Sequence, residues 1–534
     1  MRNLTFYNSV TAIYQLWDWG WTYKGVSINN CSIGLDMSNV GSDGVSQAVG
    51  SVTFIDSSIK DTPVGIKTIH SSTSTPPTGG SLILENVNLN NVITAVDGPT
   101  GPVLFGTLGT TTINYGQGHE YTPTGPATIS GTITPNARPT SLTAGTDFYE
   151  RSKPQYESIP VSQFVSVRDA GAMGDGVTDD SNVLNSVLAA AAISGKIVFF
   201  DAGDYLVTKT ISIPAGVKIA GEAYPVILSS GSFFSDMSNP RPVVQVGLRG
   251  DTGSIEWSDM IISTQGAQAG AILIEYNLAA PTTAPAGIWD VHTRIGGFTG
   301  SDLQVGNCPK TPDTVITPAN FPTQCIAAFM SMHITTLATG LYMENNWLWT
   351  ADHDVEDQEL TQISIYSGRG LLIESTLGGI WLYGTAVEHH SLYQYHLSGT
   401  SNIYMGQIQT ETAYYQPNPD ATHPFPADPN YNDPTFTTGQ SGWGLLIDDS
   451  YDVLVYGAGL YSFFDNYNVT CSNQGNGETC QAGIFSIDTV STVSVYNLNT
   501  VGTNDMITRG GTNIALYGDN NDGFVGTIAL YKNN

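Results

Sequence analysis

Apolar and polar residues alternate over short stretches along almost the whole chain, and these stretches are separated by turns rich in Asn, Asp and Gly. Alternation with a period of two residues is typical of β-strands with one buried face. Related segments begin at Val26, Val52 and Leu82. Their spacing is too short for an independent domain and suits one coil of a parallel β-helix. The pattern therefore predicts an all-β repeat protein.

A second set of strands ends in a tyrosine that is followed by a turn residue. Coils that stack in register would bring such tyrosines into a ladder, and we expect this ladder to serve packing rather than chemistry. Its predicted members are Tyr383, Tyr456, Tyr496 and Tyr517.

The two sets of strands are separated by a stretch at about 122–160 that is rich in Pro, Thr, Ser and Gly, which predicts an extended linker. After it come a strand pattern, a Gly/Asp turn and apolar residues at helical spacing between Val183 and Ala191. This order predicts a helix near 180–193 that caps a stack of coils. We therefore predict coils of a first β-helix at 1–121, the linker at 122–160 and a second β-helix at 161–534.

The charge balance excludes several classes of partner. The 534 residues include 47 acidic and 18 basic side chains, which gives a formal net charge of −29. Such a charge repels nucleic acids, anionic membrane surfaces and polyanionic substrates. No apolar run has the length of a membrane span. The content of apolar and aromatic residues, 40% and 10%, is sufficient for a large core and rules out a disordered chain.

The five cysteines predict two local disulfides. Cys308 and Cys325 flank a Pro/Thr-rich segment, and Cys471 and Cys480 flank a Gly/Asn loop. Either pair can close a short loop in an oxidising compartment. Cys31 is left over, either as a buried free thiol or as the partner of a cysteine outside this chain.

The predicted compartment is extracellular. Sequons at Asn3, Asn30 and Asn468 fit a secreted glycoprotein. The first residues lack the basic and apolar regions of a secretory signal. We expect a secreted monomer and hypothesise that the chain lacks the beginning of its first β-helix.

The candidate chemistry centres on two glutamates. Glu388 and Glu411 are separated by about one coil of sequence, so we expect them on neighbouring rungs of one face. Adjacent rungs are about 4.8 Å apart. Two carboxylates at that distance do not both ionise readily, so one should retain a proton near neutral pH. A protonated carboxylic acid is the group that cleavage of a glycosidic bond requires. An exposed acidic pair without catalytic function is the alternative.

Clusters of tryptophan, tyrosine and aspartate suit the binding of neutral sugars. Aromatic faces stack on pyranose rings and carboxylates bind hydroxyl groups, although the same residues also fit an aromatic-rich edge of the core. The candidate sugar-binding residues are Trp17, Trp19, Trp349, Asp352, Asp354, Trp381 and Tyr383.

Three motifs carry a resemblance to a known family. The Gly-Asp-Gly-x-Thr-Asp-Asp turn at 174–180 resembles the opening of pectate-lyase-like right-handed β-helix domains. The stretches Thr-Ala-Val-Glu-His-His at 385–390 and Gln-Thr-Glu-Thr-Ala-Tyr at 409–414 resemble fungal exo-β-1,3-glucanases of glycoside hydrolase family 55. This resemblance implies two tandem right-handed parallel β-helices joined by a long linker. It also implies an inverting glucan 1,3-β-glucosidase that releases glucose from the non-reducing end of laminarin-type β-1,3-glucan, and we expect no metal ion or cofactor.

The resemblance further implies roles for individual residues. By its position in the motif, Glu411 resembles the general acid of the family and Glu388 the neighbouring essential glutamate. Tyr414 is a candidate for positioning the attacking water. Gln15 and Ser38 match the amide and hydroxyl groups of the first β-helix that hold this water.

Two other functions fit the same architecture. A pectate lyase or polygalacturonase needs basic side chains around galacturonate, and the chain has only 18 basic residues. A non-catalytic β-helical adhesin or tailspike-like protein needs no site at all. His389, His390 and His396 do not predict a metal site, because no fourth ligand stands at a suitable spacing.

Overall fold

The computed structural model describes residues 1–42, 47–71, 74, 78–473 and 477–533. This part of the chain is dominated by β-strands, most of which pair in parallel. Its two α-helices are α1 (Ser181–Ser194) and α2 (Tyr517–Asn520). The prediction of an all-β fold with parallel coils is therefore confirmed.

The first stack of coils occupies the N-terminal part of the chain. Its strands are β1 (Thr5–Tyr7), β2 (Thr11–Tyr14), β3 (Trp21–Lys24), β4 (Ser27–Asn29), β5 (Ile33–Asp36), β6 (Ser51–Lys60), β7 (Val64–Lys67), β8 (Ser81–Gly98), β9 (Gly101–Thr122) and β10 (Gly125–Thr132). Strands β1, β4, β6 and β8 pair in parallel in one row, and β2, β5, β7 and β8 in another. The long strands β9 and β10 add antiparallel pairings after the last coil.

The stretch predicted to be an extended linker contains regular structure. Strand β10 lies within 122–160, and a short hairpin is formed by β11 (Thr143–Ala144) and β12 (Asp147–Phe148). The division of the chain into 1–121, 122–160 and 161–534 stays a prediction.

The second stack of coils is longer. Its strands are β13 (Phe164–Ser166), β14 (Asp175–Asp179), β15 (Ile197–Phe200), β16 (Asp204–Val207), β17 (Ile211–Ile213), β18 (Lys218–Gly221), β19 (Val226–Ser229), β20 (Arg241–Val246), β21 (Glu256–Thr264), β22 (Ala271–Tyr276), β23 (Ala286–Ile295), β24 (Ile326–Ile334), β25 (Leu341–Glu344), β26 (Trp347–Thr350), β27 (Tyr366–Ile373), β28 (Ile380–Glu388), β29 (Tyr393–Ser398), β30 (Ser401–Glu411), β31 (Trp443–Asp448), β32 (Tyr451–Tyr461), β33 (Gln481–Gly483), β34 (Phe485–Ile487), β35 (Val493–Val501), β36 (Thr503–Arg509), β37 (Thr512–Leu516) and β38 (Gly526–Lys532).

Two features of this stack position the candidate site. One face of the stack is formed by a row of parallel strands in which register partners from successive coils lie side by side. The row consists of β21, β23, β26, β28, β30, β32 and β35. At its end, β38 pairs with β35 and also with β9, so the two stacks share a sheet.

Helix α1 caps the beginning of the second stack, as predicted. Its apolar residues Leu184, Val187, Leu188 and Ala191 are buried, and Gly195 ends the helix in the left-handed conformation with a φ of 71°. The carboxylate of Asp180 accepts hydrogen bonds from the amides of the turn at 173–174. The aspartates of this turn therefore hold backbone amides.

A tyrosine ladder runs along the second stack, but its membership differs from the prediction. Ring centroids of successive members are 4.8–5.4 Å apart. Tyr517 lies in α2 rather than in a strand, and so it does not join the ladder. The members are Tyr342, Tyr383, Tyr404, Tyr456 and Tyr496.

This ladder faces the first stack and the linker. Phe148 of the linker packs on Tyr404 and Tyr456 at 4.5 and 5.1 Å. The fully buried carboxylate of Glu85, from the first stack, accepts hydrogen bonds from the hydroxyls of Tyr456 and Tyr496 at 2.8 and 2.7 Å. Arg138 of the linker binds the same carboxylate and Asp56. Buried polar bonds thus hold the two stacks and the linker together.

We expect Arg138→Ala to lower the free energy of unfolding by about 3–5 kcal/mol, because the buried carboxylate of Glu85 loses its cation and that of Asp56 keeps only Lys24. Thermal unfolding followed by circular dichroism measures this effect. The matched control is Arg249→Ala, since Arg249 is exposed and donates to the hydroxyl of Thr336. Equal unfolding midpoints for the two variants would contradict the assignment.

Both predicted disulfides, Cys308–Cys325 and Cys471–Cys480, are present. Cys31 is a free and buried thiol within the core of the first stack. Neither helix in the described part of the chain has the length and hydropathy of a membrane-spanning segment.

Candidate active site

Glu388 and Glu411 end adjacent strands. Glu388 is the last residue of β28, Glu411 is the last residue of β30, and the two are direct partners in the parallel register. The prediction that they stand on neighbouring rungs is therefore confirmed. The same row places Trp349 on the preceding coil and Tyr461 on the following one.

The two carboxylates lie in different surroundings. Glu388 is only 7% exposed, and its carboxylate accepts a hydrogen bond of 2.9 Å from the indole nitrogen of Trp347. Burial, reinforced by the nearby charge of Glu411, raises the pKa of Glu388 to about 7. The side chain of Glu411 is more open, at 26% exposure. Burial and the proximity of the two charges therefore favour retention of a proton by the pair near neutral pH.

Gln409 and His389 connect the pair. The side-chain amide of Gln409 donates to Glu411 at 3.3 Å, and its proximity to Glu388 partly offsets the rise in the pKa of that carboxyl group. The Nε2 atom of His389 lies 3.3 Å from Glu411, and its Nδ1 atom lies 2.9 Å from the carbonyl of Thr350. Burial opposes protonation of this imidazole, but the hydrogen bond to Glu411 and the charges of three carboxylates raise its pKa to about 9. His389 is therefore a buried cation beside Glu411.

The histidines do not form a metal site. His390 contacts the hydroxyl of Ser331 at 2.7 Å, and His396 contacts Asp448 at 3.1 Å. In the described residues, no group of three His, Cys, Asp or Glu side chains is arranged to hold a metal ion.

A second acidic cluster joins Asp18 of the first stack with Asp522, which lies between α2 and β38. Asp18 is 4% exposed and accepts hydrogen bonds from the amides of Gly50 and Ser51 and from the side chain of Gln15. Burial, with the charge of Asp522 nearby, raises the pKa of Asp18 to about 7. The hydroxyl of Tyr23 donates to the oxygen of the Gln15 amide at 2.6 Å. The orientation of this amide is therefore set from both ends.

Tyr461 links this cluster to the two glutamates. Its ring packs edge-on against Trp19 with a centroid distance of 4.9 Å. Burial raises the pKa of Tyr461, and the charges of Glu411, Asp18 and Asp522 raise it further. Tyr461 is thus near both acidic clusters, and the site is formed between the two stacks.

Aromatic rings line both sides of the two glutamates. Trp17 is 59% exposed and contacts Trp19 and Phe524 with centroid distances of 5.9 and 6.3 Å. On the other side, the 40% exposed Trp347 stacks on Trp349 at 4.8 Å with an interplanar angle of 22°. Trp349 is only 4% exposed, so it supports the ring of Trp347, which corrects the prediction that Trp349 itself binds sugar. Such surfaces suit the apolar faces of sugar rings.

Several predicted sugar-binding residues lie elsewhere. Trp381 is fully buried and donates to the carbonyl of Leu142, and Tyr383 donates to the carbonyl of Tyr149. Both face the linker, because Gly384 turns the chain between them and Glu388. Their prediction as sugar ligands was wrong.

Asp354 also has a structural role. It is buried, and it accepts hydrogen bonds from Gln304 and from the amides of Val305 and Glu356. These bonds fix a loop, which corrects the prediction that it binds sugar. Asp352 contacts His353 at 2.8 Å, and its charge helps to raise the pKa of His389.

Tyr414 is not placed to position a water molecule. It is fully buried, and its hydroxyl donates to the carbonyl of Ala351 at 3.1 Å and accepts from the amide of Ile365 at 3.0 Å. Its ring packs edge-on against His389 with a centroid distance of 5.3 Å. Tyr414 therefore supports the imidazole beside Glu411, and its predicted role was wrong.

Gln15 and Ser38 follow the ends of the paired strands β2 and β5. The register of β2 and β5 pairs Tyr14 with Asp36, and the backbone N–H of Gln15 donates to the backbone carbonyl of Asp36. The hydroxyl of Ser38 donates to the carboxylate of Asp36 at 2.5 Å. Both residues belong to the first stack's side of the site.

Sequence reasoning missed four contributors, which are Trp347, Gln409, Tyr461 and Asp18. Two of them had a usable signal. Gln409 precedes Glu411 by two residues, and the period of a strand places both on one face. Asp18 lies between Trp17 and Trp19.

The fold and the site together define a parallel β-helix protein with paired carboxylates between aromatic surfaces. A family model described as "Rhamnogalacturonase A/epimerase, pectate lyase-like" matches residues 1–36 and 164–253. The chain is 44% identical over 527 residues to a glucan 1,3-beta-glucosidase of Cochliobolus carbonum, a match that covers 97% of this chain and 65% of the relative. It is 39% identical to a probable glucan endo-1,3-beta-glucosidase of Arthroderma benhamiae, with 99% and 70% covered.

The chain belongs to the fungal glucan 1,3-β-glucosidase family, glycoside hydrolase family 55. It spans about two thirds of the length of these two relatives. Among solved structures, sacteLam55A from Streptomyces sp. SirexAA-E matches with a TM-score of 0.44 and 15% identity, over 95% of this chain and 77% of that one.

Proposed function

We propose that the chain hydrolyses β-1,3-glucan with inversion of configuration and releases glucose from the non-reducing end. The observation that carries this proposal is the pairing of Glu388 and Glu411 between the aromatic surfaces of the two stacks. Burial and the proximity of the two charges favour retention of a proton by the pair near neutral pH, as a general acid for a glycosidic oxygen requires. The names of the two relatives support the choice of substrate.

We assign proton donation to Glu411 because its side chain is the more exposed of the two. Burial raises the pKa of Glu388, and Gln409 donates to Glu411 while it lies close to Glu388. A sugar above Glu411 removes the water that solvates its charge, which favours the proton on Glu411. Glu388 is then the buried partner that keeps the proton available near neutral pH.

Gln15 and Ser38 are the proposed ligands of the attacking water. An inverting reaction brings water to the face of the sugar opposite the acid, and its two groups are normally about 6.5–9.5 Å apart. Adjacent rungs are only about 4.8 Å apart, so Glu388 is not suited to be the base. The Gln15 amide belongs to the other stack, and its bonds to Tyr23 and Asp18 hold it in one orientation.

The same surfaces favour a neutral sugar over galacturonate. The carboxylates of Glu388 and Glu411 and the net charge of −29 repel an anionic polysaccharide. This argues against a pectin-active enzyme despite the shared β-helix.

A secreted, extracellular protein is part of this proposal. The two disulfides support an oxidising compartment. The sequon residues Asn3, Asn30 and Asn468 are all exposed, which makes glycosylation sterically feasible.

Product analysis tests the proposal. We expect laminarin to yield glucose as its first product, in the α configuration, when the reaction is followed by proton NMR before mutarotation is complete. The β anomer would contradict inversion, and longer oligosaccharides as first products would indicate endo cleavage. No product from a folded chain would favour the adhesin-like alternative.

A further inference from the structure

Among the residues that the structure describes, His389 is the one cationic side chain that forms an ion pair with Glu411. Its Nε2 atom lies 3.3 Å from the Oε2 atom of Glu411, and its side chain is only 2% exposed. The other oxygen of this carboxylate, Oε1, accepts a hydrogen bond from Gln409 at 3.3 Å. Each oxygen of Glu411 therefore has its own donor, and only His389 brings a charge.

The second nitrogen of the imidazole determines where the protons of the ring lie. Nδ1 is 2.9 Å from the backbone carbonyl of Thr350, which can only accept, so Nδ1 carries a proton in both the charged and the neutral ring. The charged ring donates from Nε2 to Glu411. A neutral ring would instead turn a lone pair toward Glu411 and compete with the sugar for the proton of this carboxyl.

The groups around the ring favour its charged form. Three carboxylates act on it: Glu388 at the end of β28, Glu411 at the end of β30 and Asp352 in the loop after β26. Burial opposes protonation, but the hydrogen bond to Glu411 and these three charges raise the pKa of His389 to about 9. The neighbouring His390 adds no second positive charge, because burial lowers its pKa to about 3.

The backbone at His389 has an uncommon conformation. Its φ is 69°, in the left-handed region, and its N–H donates to the backbone carbonyl of Glu411 at 2.8 Å. Non-glycine residues are uncommon in this region, and such positions cluster at functional sites. The edge-on ring of Tyr414 packs against the imidazole at 5.3 Å. The turn and this ring together hold the imidazole beside Glu411.

We propose that His389 is a positioning residue that acts through Glu411. Its protonated imidazole holds the Oε2 atom of this carboxyl group and stabilises the negative charge that Glu411 gains when it protonates the leaving sugar oxygen. This inference rests on the proposed function and adds the group that compensates the charge of the general acid. With Nε2–H bound to Oε2, the acidic proton of Glu411 belongs on Oε1.

The charge of His389 acts during proton transfer. As the O–H bond of Glu411 breaks, the proton forms a bond with the glycosidic oxygen, and the electron pair of the C1–O bond goes to that oxygen. Glu411 changes from a neutral acid to a carboxylate, while the imidazolium keeps both of its protons. The attacking water bonds to C1 and releases one proton, which balances the proton that Glu411 later takes up. Because the cation interacts more strongly with the carboxylate than with the neutral acid, it lowers the barrier.

Two substitutions separate the charge of His389 from its hydrogen bonds. In His389→Gln the amide nitrogen can take the place of Nε2 and donate to Glu411 without a charge. We expect kcat/KM for laminarin to fall about 10- to 100-fold, as loss of a hydrogen bond to a charged group implies. His389→Asn suits the left-handed backbone and can donate to Thr350 but does not reach Glu411, so its loss should be larger.

The pH profile and the leaving group distinguish this role from a merely structural one. The charge of His389 lowers the pKa of Glu388, so its loss should move the alkaline limb of kcat/KM to higher pH in both variants. Their loss of activity should also be smaller on a nitrophenyl β-glucoside, whose leaving oxygen needs little protonation. A structural role would lower both activities equally and leave the pH profile in place.

His396→Gln is the matched control. His396 is also buried and pairs with a carboxylate, that of Asp448 at 3.1 Å, but it lies in the other large sheet of the stack. This variant should keep the pH profile of the unmodified chain. Unchanged activity and an unchanged pH profile in His389→Gln would overturn the inference, and so would equal losses on laminarin and on the nitrophenyl β-glucoside.

A titration without turnover tests the ion pair itself. In NMR spectra of the chain with ¹³C-labelled histidine, His389 is identified by the signal that is missing from His389→Asn. Its pKa should fall in Glu411→Gln, because the neighbouring negative charge is removed. An unchanged pKa would overturn the inference. If the unmodified chain cleaved neither laminarin nor the nitrophenyl β-glucoside, the proposed function would fail, whereas a normal rate with an unchanged His389→Gln variant would remove only the role of His389.

Discussion

Glu411→Gln is expected to lower kcat/KM for laminarin by a factor of about 10²–10⁴, which is the usual contribution of a general acid. The amide keeps the shape of the side chain but cannot give a proton to the leaving oxygen. Binding should be largely retained, because the aromatic surfaces around Trp17 and Trp347 are unchanged. Steady-state release of glucose and calorimetric titration with laminaripentaose measure the two effects.

The leaving group distinguishes Glu411 from Glu388 as the proton donor. A nitrophenyl β-glucoside needs little protonation at its leaving oxygen, so the variant that lacks the true donor should lose much less activity on it than on laminarin. We expect this smaller loss on the nitrophenyl β-glucoside for Glu411→Gln and not for Glu388→Gln. The opposite result would move the donor role to Glu388, whose pKa is raised by burial and by the charge of Glu411.

Glu388→Gln should produce the second large effect, in both activity and pH dependence. Without this carboxylate, Glu411 has no neighbouring acid with which it can share a proton. We therefore expect at least about a 10²-fold loss of kcat/KM. The alkaline limb of the remaining activity should move to lower pH, because the group with a pKa of about 7 is gone. An unchanged pH profile would show that the two carboxylates act independently.

The same substitution should stabilise the fold at alkaline pH. The pKa of Glu388 is raised from 4.5 to about 7 on folding, so between these values the folded chain binds a proton that the unfolded chain releases. Stability associated with this group is therefore present at low pH and is lost as pH rises through about 7. At pH 8 the free energy of unfolding of Glu388→Gln should exceed that of the unmodified chain by roughly 1–3 kcal/mol, and its unfolding temperature should be higher. At pH 4 the unfolding temperature of the variant should be no higher than that of the unmodified chain. Differential scanning calorimetry across this range checks the sign.

Repeat spacing was sufficient to predict the coils and the pairing of the two glutamates. Parallel strands stack in register, so residues separated by one coil meet on one face. This local rule brought Glu388 and Glu411 together. The cap was equally predictable, since the Gly/Asp turn and the apolar period of α1 are both local signals.

The outward-facing aromatic residues were less predictable. Trp381 and Trp349 both belong to tryptophan-rich strands, but the linker covers Trp381, while Trp349 stacks with Trp347 beside Glu388. Which face the linker covers depends on contacts between residues distant in sequence, such as those of Phe148 and Glu85 with Tyr456. Tyr414 was misassigned for a similar reason, because proximity in sequence to Glu411 did not show that its hydroxyl binds two backbone groups.

The amino-acid sequence by itself determined the coil repeat, the cap, the disulfide pairs and the register of the two glutamates, since each depends on a local pattern or on one period of the repeat. Only the tertiary structure decided which glutamate is buried, that His389 is a cation beside Glu411, and that Tyr461 joins the Asp18 cluster to the pair. Burial and charge at these positions depend on how the two stacks pack against each other. The repeat pattern within one stack does not predict that packing.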